Sequence, residues 1–344
     1  MSTFLGMPKI VNKNHKQWEQ GDAIPSNPLN WGTSFPKGSA VTLRNSQMRK
    51  NLGHATTTIR NKRNLRVAEM PDWEELREAA SAIKNETMLR MPELLEQMEE
   101  NVTKRGGIVH WARDAQEANE IIHKILVEKQ AKEVIKIKSM VTQEINMNEY
   151  LAARGITAWE TDLAEMIVQL GKDMPSHIVV PAIHRNRAEI REIFMSEMED
   201  VPEDLTSDPR DLAMLARDHL RALFLKTKVA ISGSNMMIPE TGTLSIFESE
   251  GNGRMCLTLP ETLISVVGIE KMVPRYKDTE VFAQLLPRSA TGERMNPYTS
   301  MWTGVTPGMV PRSSISSFSI TGAPKPLPTR SAGKLSTASG AVPA

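Results

Sequence analysis

Residues 107–160 read GIVHWARDAQEANEIIHKILVEKQAKEVIKIKSMVTQEINMNEYLAARGITAWE, and their pattern decides the fold. Residues 107–111 form a short β-branched run. Asp114 then stands as an N-cap before a helical stripe of Ala118, Ile121, Ile122 and Leu126. Residues 134–138 are a second apolar run, 142–154 a second helix stopped by Gly155, and 156–160 a third run. Short strands alternating with amphipathic helices run parallel, because each crossover helix returns the chain to the same end of the sheet. The predicted class is α/β.

Working outward from this core, the spacing predicts a helix over 163–170, a fourth strand over 178–181 and a helix over 187–198. Asp208 and Pro209 open another helix, Pro being favoured at the first helical position. Strands are then expected at 229–232, 243–248, 255–259 and 263–267, with Asn252-Gly253 reading as the turn of a hairpin. Upstream, residues 1–46 mix Pro, Gly, Asn and Trp without period and read as an extended arm. Residues 47–105 are helical. Met70-Pro71 interrupts that stretch, and Asp72 restarts it with the stripe Trp73, Leu76, Ala80 and Ile83. Residues 106–308 form the α/β domain, and 309–344, rich in Ser and Pro and free of acids, read as a disordered tail.

A formal net charge of +1 over 344 residues gives no reason to expect nucleic acid. Neither a membrane-spanning apolar run nor a secretory leader is evident, so the expected location is cytoplasmic. Cys256, the single cysteine, cannot form an internal disulfide or supply the thiolates of an iron–sulfur cluster. In an apolar run, it reads as a buried thiol. No metal ligand set is expected, and His177 and His184, at the two ends of the predicted fourth strand, read as hydrogen-bonding residues.

Lys138, Ser139 and Thr142 follow the second strand, where open α/β sheets bind ligands. They are candidates to contact an anionic group, and equally to cap the next helix. Two acidic-glycine motifs, around Glu240-Thr-Gly242 and Glu248-Ser-Glu250-Gly251-Asn252-Gly253-Arg254, offer a base or nucleophile in Glu240 or Glu250. Asn252 and Arg254 would clamp an anion. Each motif also reads as a plain turn with a surface ion pair. Lys138, Ser139, Glu240, Glu250, Asn252 and Arg254 are expected to converge on one concavity near strand ends.

Several ordered segments resemble the lactate-utilisation protein B family of LUD-domain iron–sulfur proteins. They are Glu69-Met-Pro71-Asp-Trp73, Lys138-Ser-Met-Val-Thr-Gln-Glu144, Glu160-Thr-Asp162-Leu, Pro175-Ser-His177-Ile-Val-Val-Pro181-Ala-Ile-His184, Glu240-Thr-Gly242-Thr, Glu250-Gly-Asn-Gly-Arg254 and Arg288-Ser-Ala-Thr-Gly292. The resemblance implies a fold similar to the NagB/RpiA/CoA-transferase class. It also implies work with the other two proteins of a lactate-utilisation system in oxidising L-lactate, a small carboxylate substrate, to pyruvate. Relatives are expected to continue past Gly308 into a ferredoxin-like cluster domain, with iron–sulfur clusters that this sequence cannot hold. The sequence is therefore expected to be truncated or frame-altered there. A stand-alone CoA-transferase-like enzyme and a non-catalytic scaffold are the alternative readings.

Overall fold

Met70-Pro71 separates two helical stretches because proline cannot donate into the preceding turn. In a computed structural model of the chain, α1 (Ser46–Ala68), capped by the Asn45 side chain, precedes that break and α2 (Trp73–Leu89) follows it. The structure describes residues 43–305 apart from 174, 176 and 179, the strand at 313–319, and short pieces at 3–4, 7–8, 36 and 39–40. α3 (Met91–Thr103) buries Leu94, Met98 and Val102, spaced to form one stripe.

The α/β alternation follows: β1 (Ile108–Ala112), α4 (Ala115–Glu128), β2 (Glu133–Lys136), α5 (Met140–Glu144), α6 (Met147–Ala152), β3 (Thr157–Glu160) and α7 (Leu163–Leu170). Helices α8 (Arg187–Glu197) and α9 (Pro209–Lys226) lead to β4 (Val229–Ser232). Then come β5 (Met236–Ile238), β6 (Thr243–Glu248), α10 (Asn252–Thr258), β7 (Thr262–Gly268), α11 (Thr279–Ala290), β8 (Tyr298–Trp302) and β9 (Ser313–Ser319).

Six strands form one parallel sheet in the order β1-β9-β7-β4-β2-β3. Apolar residues cover both of its faces, as parallel sheets require. Ile231, Ile264 and Val266 meet Ile122, Leu126 and Leu151 on one face. Ala230 and Leu263 meet Leu223 and Cys256 on the other. Each fully buried Ile or Leu contributes about 1.5–3 kcal/mol. Strands β8, β6 and β5 make a separate antiparallel sheet onto which α3 packs through Leu94, Met98 and Val102.

The structure departs from the expected elements at four places. The helix expected over 142–154 is two short helices, parted where Asn146 takes a left-handed φ of 52°. Residues 178, 180 and 181 lie in bends and a turn rather than in the expected strand, with the Val180 N–H donating to His177 Nδ1. Residues 255–259 belong largely to α10, and there is no hairpin at Asn252-Gly253. The Glu248 carboxylate accepts from the Gly253 and Arg254 N–H groups at 2.6 and 2.7 Å and so starts a helix there, which a turn-like dipeptide does not announce. Finally, residues 313–319, expected to be disordered, pair in parallel with both β1 and β7. A slot between two strands is filled through main-chain groups that every residue carries, so a serine-rich run can occupy it. Most of the expected arm at 1–46, with residues 309–312 and 320–344 of the tail, lies outside the described residues.

Candidate functional site

In the parallel sheet the C-terminal ends of β2, β3 and β4 lie side by side, and polar side chains gather there. Register pairs Lys136 with Glu160, the last residues of β2 and β3. Their side chains meet at 2.6 Å and are 1% and 4% exposed. Asn148 of α6 donates to the same Glu160 oxygen at 2.8 Å, while the second oxygen is buried without a hydrogen-bond partner among the described residues. A buried carboxylate oxygen without a donor is costly, and such sites are uncommon.

Three further carboxyls stand beside this pair. Asp162 caps α7, accepting from the Ala164 and Glu165 N–H groups. Glu165, one turn into α7, is buried, accepts from Gln143 at 2.7 Å and lies 3.8 Å from the Lys138 ammonium. Glu250 reaches across from the loop after β6 and accepts from the Leu163 N–H at 3.1 Å. Burial pushes the Asp162 carboxyl up against the pull of Lys138. Glu165 rises through burial and the nearby Glu160 charge. Glu250 rises through desolvation and the charges of Asp162 and Glu248, although much of its surface faces solvent, which screens the effect. Perturbed carboxyls around a lysine at strand ends mark a functional site more often than chance does.

The expected residues distribute unevenly over this geometry. Lys138 and Glu250 belong to the cluster. Ser139 stands next to it, so close to the β4 end that a Cβ on Gly233 would lie 2.5 Å from its hydroxyl. Thr142 is buried and donates to the Ser139 carbonyl at 2.8 Å, a helix-turn role. Asn252 is buried and donates to the Thr161 hydroxyl at 3.2 Å, tying α10 to the end of β3. Arg254 is exposed, its guanidinium 5.1 Å from the Tyr298 ring centroid, on the rim. Glu240 does not converge with the others. It sits before the start of β6, whereas Glu250 follows its end, and the six residues of that strand span about 17–20 Å. Its carboxylate accepts from the Tyr276 N–H at 2.7 Å.

Lys136, Glu160, Asp162 and Glu165 were not among the sequence-derived candidates. The signal for the first is a lysine inside the apolar run Val134–Ile137, where a charge needs a buried partner. Cys256 is buried, shares a 3.5 Å contact with the Thr161 hydroxyl, and its thiol is pushed up to about 12 by burial. A thiol held that firmly in its protonated form is a poor metal ligand. Among the described residues no three His, Cys, Asp or Glu side chains are grouped to hold a metal ion, so the residues present do not fit an iron–sulfur cluster. No helix among them is long and apolar enough to cross a membrane.

The fold and cluster define an α/β protein with carboxyls gathered around two lysines at the C-terminal edge of a parallel sheet. Residues 95–308 match the LUD domain model, and the chain belongs to the LUD-domain family. It is 42% identical over 260 residues to the protein named lactate utilization protein B of Oceanobacillus iheyensis, covering 76% of this chain and 54% of that protein. The Bacillus subtilis protein of the same name is 40% identical over 272 residues, covering 79% of this chain and 56% of its own length. The chain thus spans about half the length of the curated relatives it matches. A crystal structure of a DUF162 family protein from Deinococcus radiodurans superposes with a TM-score of 0.36 at 14% identity, over 66% of this chain and 97% of that one.

Proposed function

We propose that the chain serves in lactate utilisation, as a subunit of a system that oxidises L-lactate to pyruvate, and that the carboxyl–lysine cluster binds the 2-hydroxy acid. The observation that carries this reading is the extended identity to relatives named for lactate utilisation. The cluster supplies chemistry that suits it. A lactate carboxylate would pair with the Lys138 ammonium, and Asp162 or Glu250, when protonated, would donate to it. Glu165, whose proton affinity burial raises, would accept the hydroxyl proton as the alcohol becomes a ketone. Conversion to pyruvate breaks the O–H and C2–H bonds and releases two protons and two electrons. Glu165 takes the hydroxyl proton, and the C2 hydrogen leaves with both electrons, a hydride equivalent, to a redox partner, in keeping with work beside two further proteins.

Titration calorimetry of the purified chain with L-lactate tests the binding step. Saturable binding is expected, lost in Lys138→Met, and weakening as the pH rises and the carboxyls ionise. Absence of binding, or binding indifferent to Lys138→Met, would overturn the assignment. Lactate-dependent dye reduction is expected only when the two partner proteins are added.

A further inference from the structure

The near-zero net charge conceals two strongly charged surfaces. α1 contains no Asp or Glu and no buried residue. Arg49, Lys50, Arg60 and Lys62 along it, with Arg44 just before it, are exposed, and among the described residues none has an ion-pair partner. On the helices that follow, several cations are matched: Arg77 with Glu74, Arg90 with Glu86 and Glu93, Lys104 with Glu100. The opposite surplus lies in the turn between α8 and α9. Glu199, Asp200, Glu203 and Asp204 are exposed there within six residues, Glu199-Asp-Val-Pro-Glu-Asp204, and they too lack ion-pair partners among the described residues.

These surfaces cannot neutralise each other within one molecule. α1 rests on α11 and, through α2 and α3, belongs to the β1 edge of the parallel sheet. The α8–α9 turn continues from α7, which packs on β3 at the other edge. Five strand spacings part the two edges, about 24 Å. That is about three screening lengths at physiological ionic strength.

We infer that the basic α1 surface of one molecule docks the acidic α8–α9 turn of a second copy of this chain. The complementarity is already present on the chain's own surface, and both partners are exposed segments that need no rearrangement. Because the two patches differ, the contact is heterologous, closing into a two-fold pair only if both patches are reached at once and otherwise running head to tail. A contact made of exposed charges is sensitive to salt.

Sedimentation velocity of the full chain at about 20 mM and about 500 mM NaCl reads this directly, since the screening length falls several-fold between them. The wild type is expected to associate in low salt and to be monomeric in high salt. Two charge-reversed variants, R49E/K50E/R60E/K62E and E199K/D200K/E203K/D204K, should each stay monomeric in low salt with unchanged circular dichroism. Mixing them in equal amounts should restore association, because each then supplies the charge the other has reversed. A wild type that is monomeric in low salt overturns the proposal. So does association that survives in either variant alone, or a mixture of two folded variants that fails to associate.

Discussion

The turn at Glu240 and the loop at Glu250 share ingredients in sequence, a glutamate close to a glycine, and they lie beyond opposite ends of β6. Their surroundings make them different. At the first, the Glu240 carboxylate accepts from the Tyr276 N–H, Asn101 donates to the Pro239 carbonyl and Arg105 to that of Thr241. Every one of those polar groups is spent on holding the antiparallel sheet to its neighbours. At the second, Glu250 joins Asp162, Glu165 and Glu160 around two lysines, where carboxyls outnumber cations and the proton affinities of Glu250, Asp162 and Glu165 rise. The difference teaches that an acidic-glycine motif is defined by what stands opposite. A cluster left short of partners carries a standing cost, and that cost is the trace of a site.

The sharpest way to break this comparison is at Lys136. Lys136→Met leaves the Glu160 carboxylate buried with Asn148 as its side-chain donor, and should cost about 3–5 kcal/mol by urea denaturation. Adding Glu160→Leu removes the stranded charge and should recover most of that loss. A single variant losing under about 1 kcal/mol would mean that water solvates Glu160 and that the cluster is not the dry, strained region described.

The parallel sheet was legible in the sequence because 107–160 carries its own punctuation: Asp114 caps α4, Gly155 ends the helical stretch, and short, largely apolar runs alternate with the helices. Lys138 and Glu250 were legible as candidates because strand ends in this class face ligands, and the structure places both in the cluster. The partners that make them a site were not. Lys136 and Glu160 are far apart in sequence and become neighbours only through the register of β2 on β3. Glu240 was misplaced for the converse reason, since its motif carries no information about the Tyr276 N–H that consumes it. Met255 was read as opening a strand because Asn252-Gly253 suits a hairpin, while the helix start is set by Glu248 from outside the run.

A gentler change sharpens the contrast through pH. Glu165 binds its proton more tightly when folded than when unfolded, owing to burial and the Glu160 charge. A raised folded pKa means that its favourable contribution is complete below the ordinary glutamate range and is lost as pH rises through the folded value. At neutral pH the wild type therefore carries a penalty that a neutral side chain avoids. Glu165→Gln should be the more stable protein at pH 8, by on the order of 1 kcal/mol, with the difference closing toward pH 4. Lactate binding should fall in the same variant. A variant equally destabilised at both pH values would show that the carboxyl serves only as a packing and hydrogen-bonding element.

The smallest effect belongs to Glu240, and its smallness is the point. Glu240→Ala removes the acceptor for the Tyr276 N–H, an exposed bond, so the amide regains a partner in water and little is lost. About 0.5 kcal/mol is expected, a shift in Tm of about 1–2 °C for a domain of this size. Asn101 and Arg105 still grip the carbonyls of the turn, so the antiparallel sheet keeps its seat. Lactate affinity should be unchanged, because the length of β6 lies between this turn and the Lys138 cluster. If Glu240→Ala abolished lactate binding while the fold and the Lys138 cluster stayed intact, the two ends of β6 would be working as one site. The distinction between a turn that only fastens and a loop that joins the lysine cluster would then be wrong.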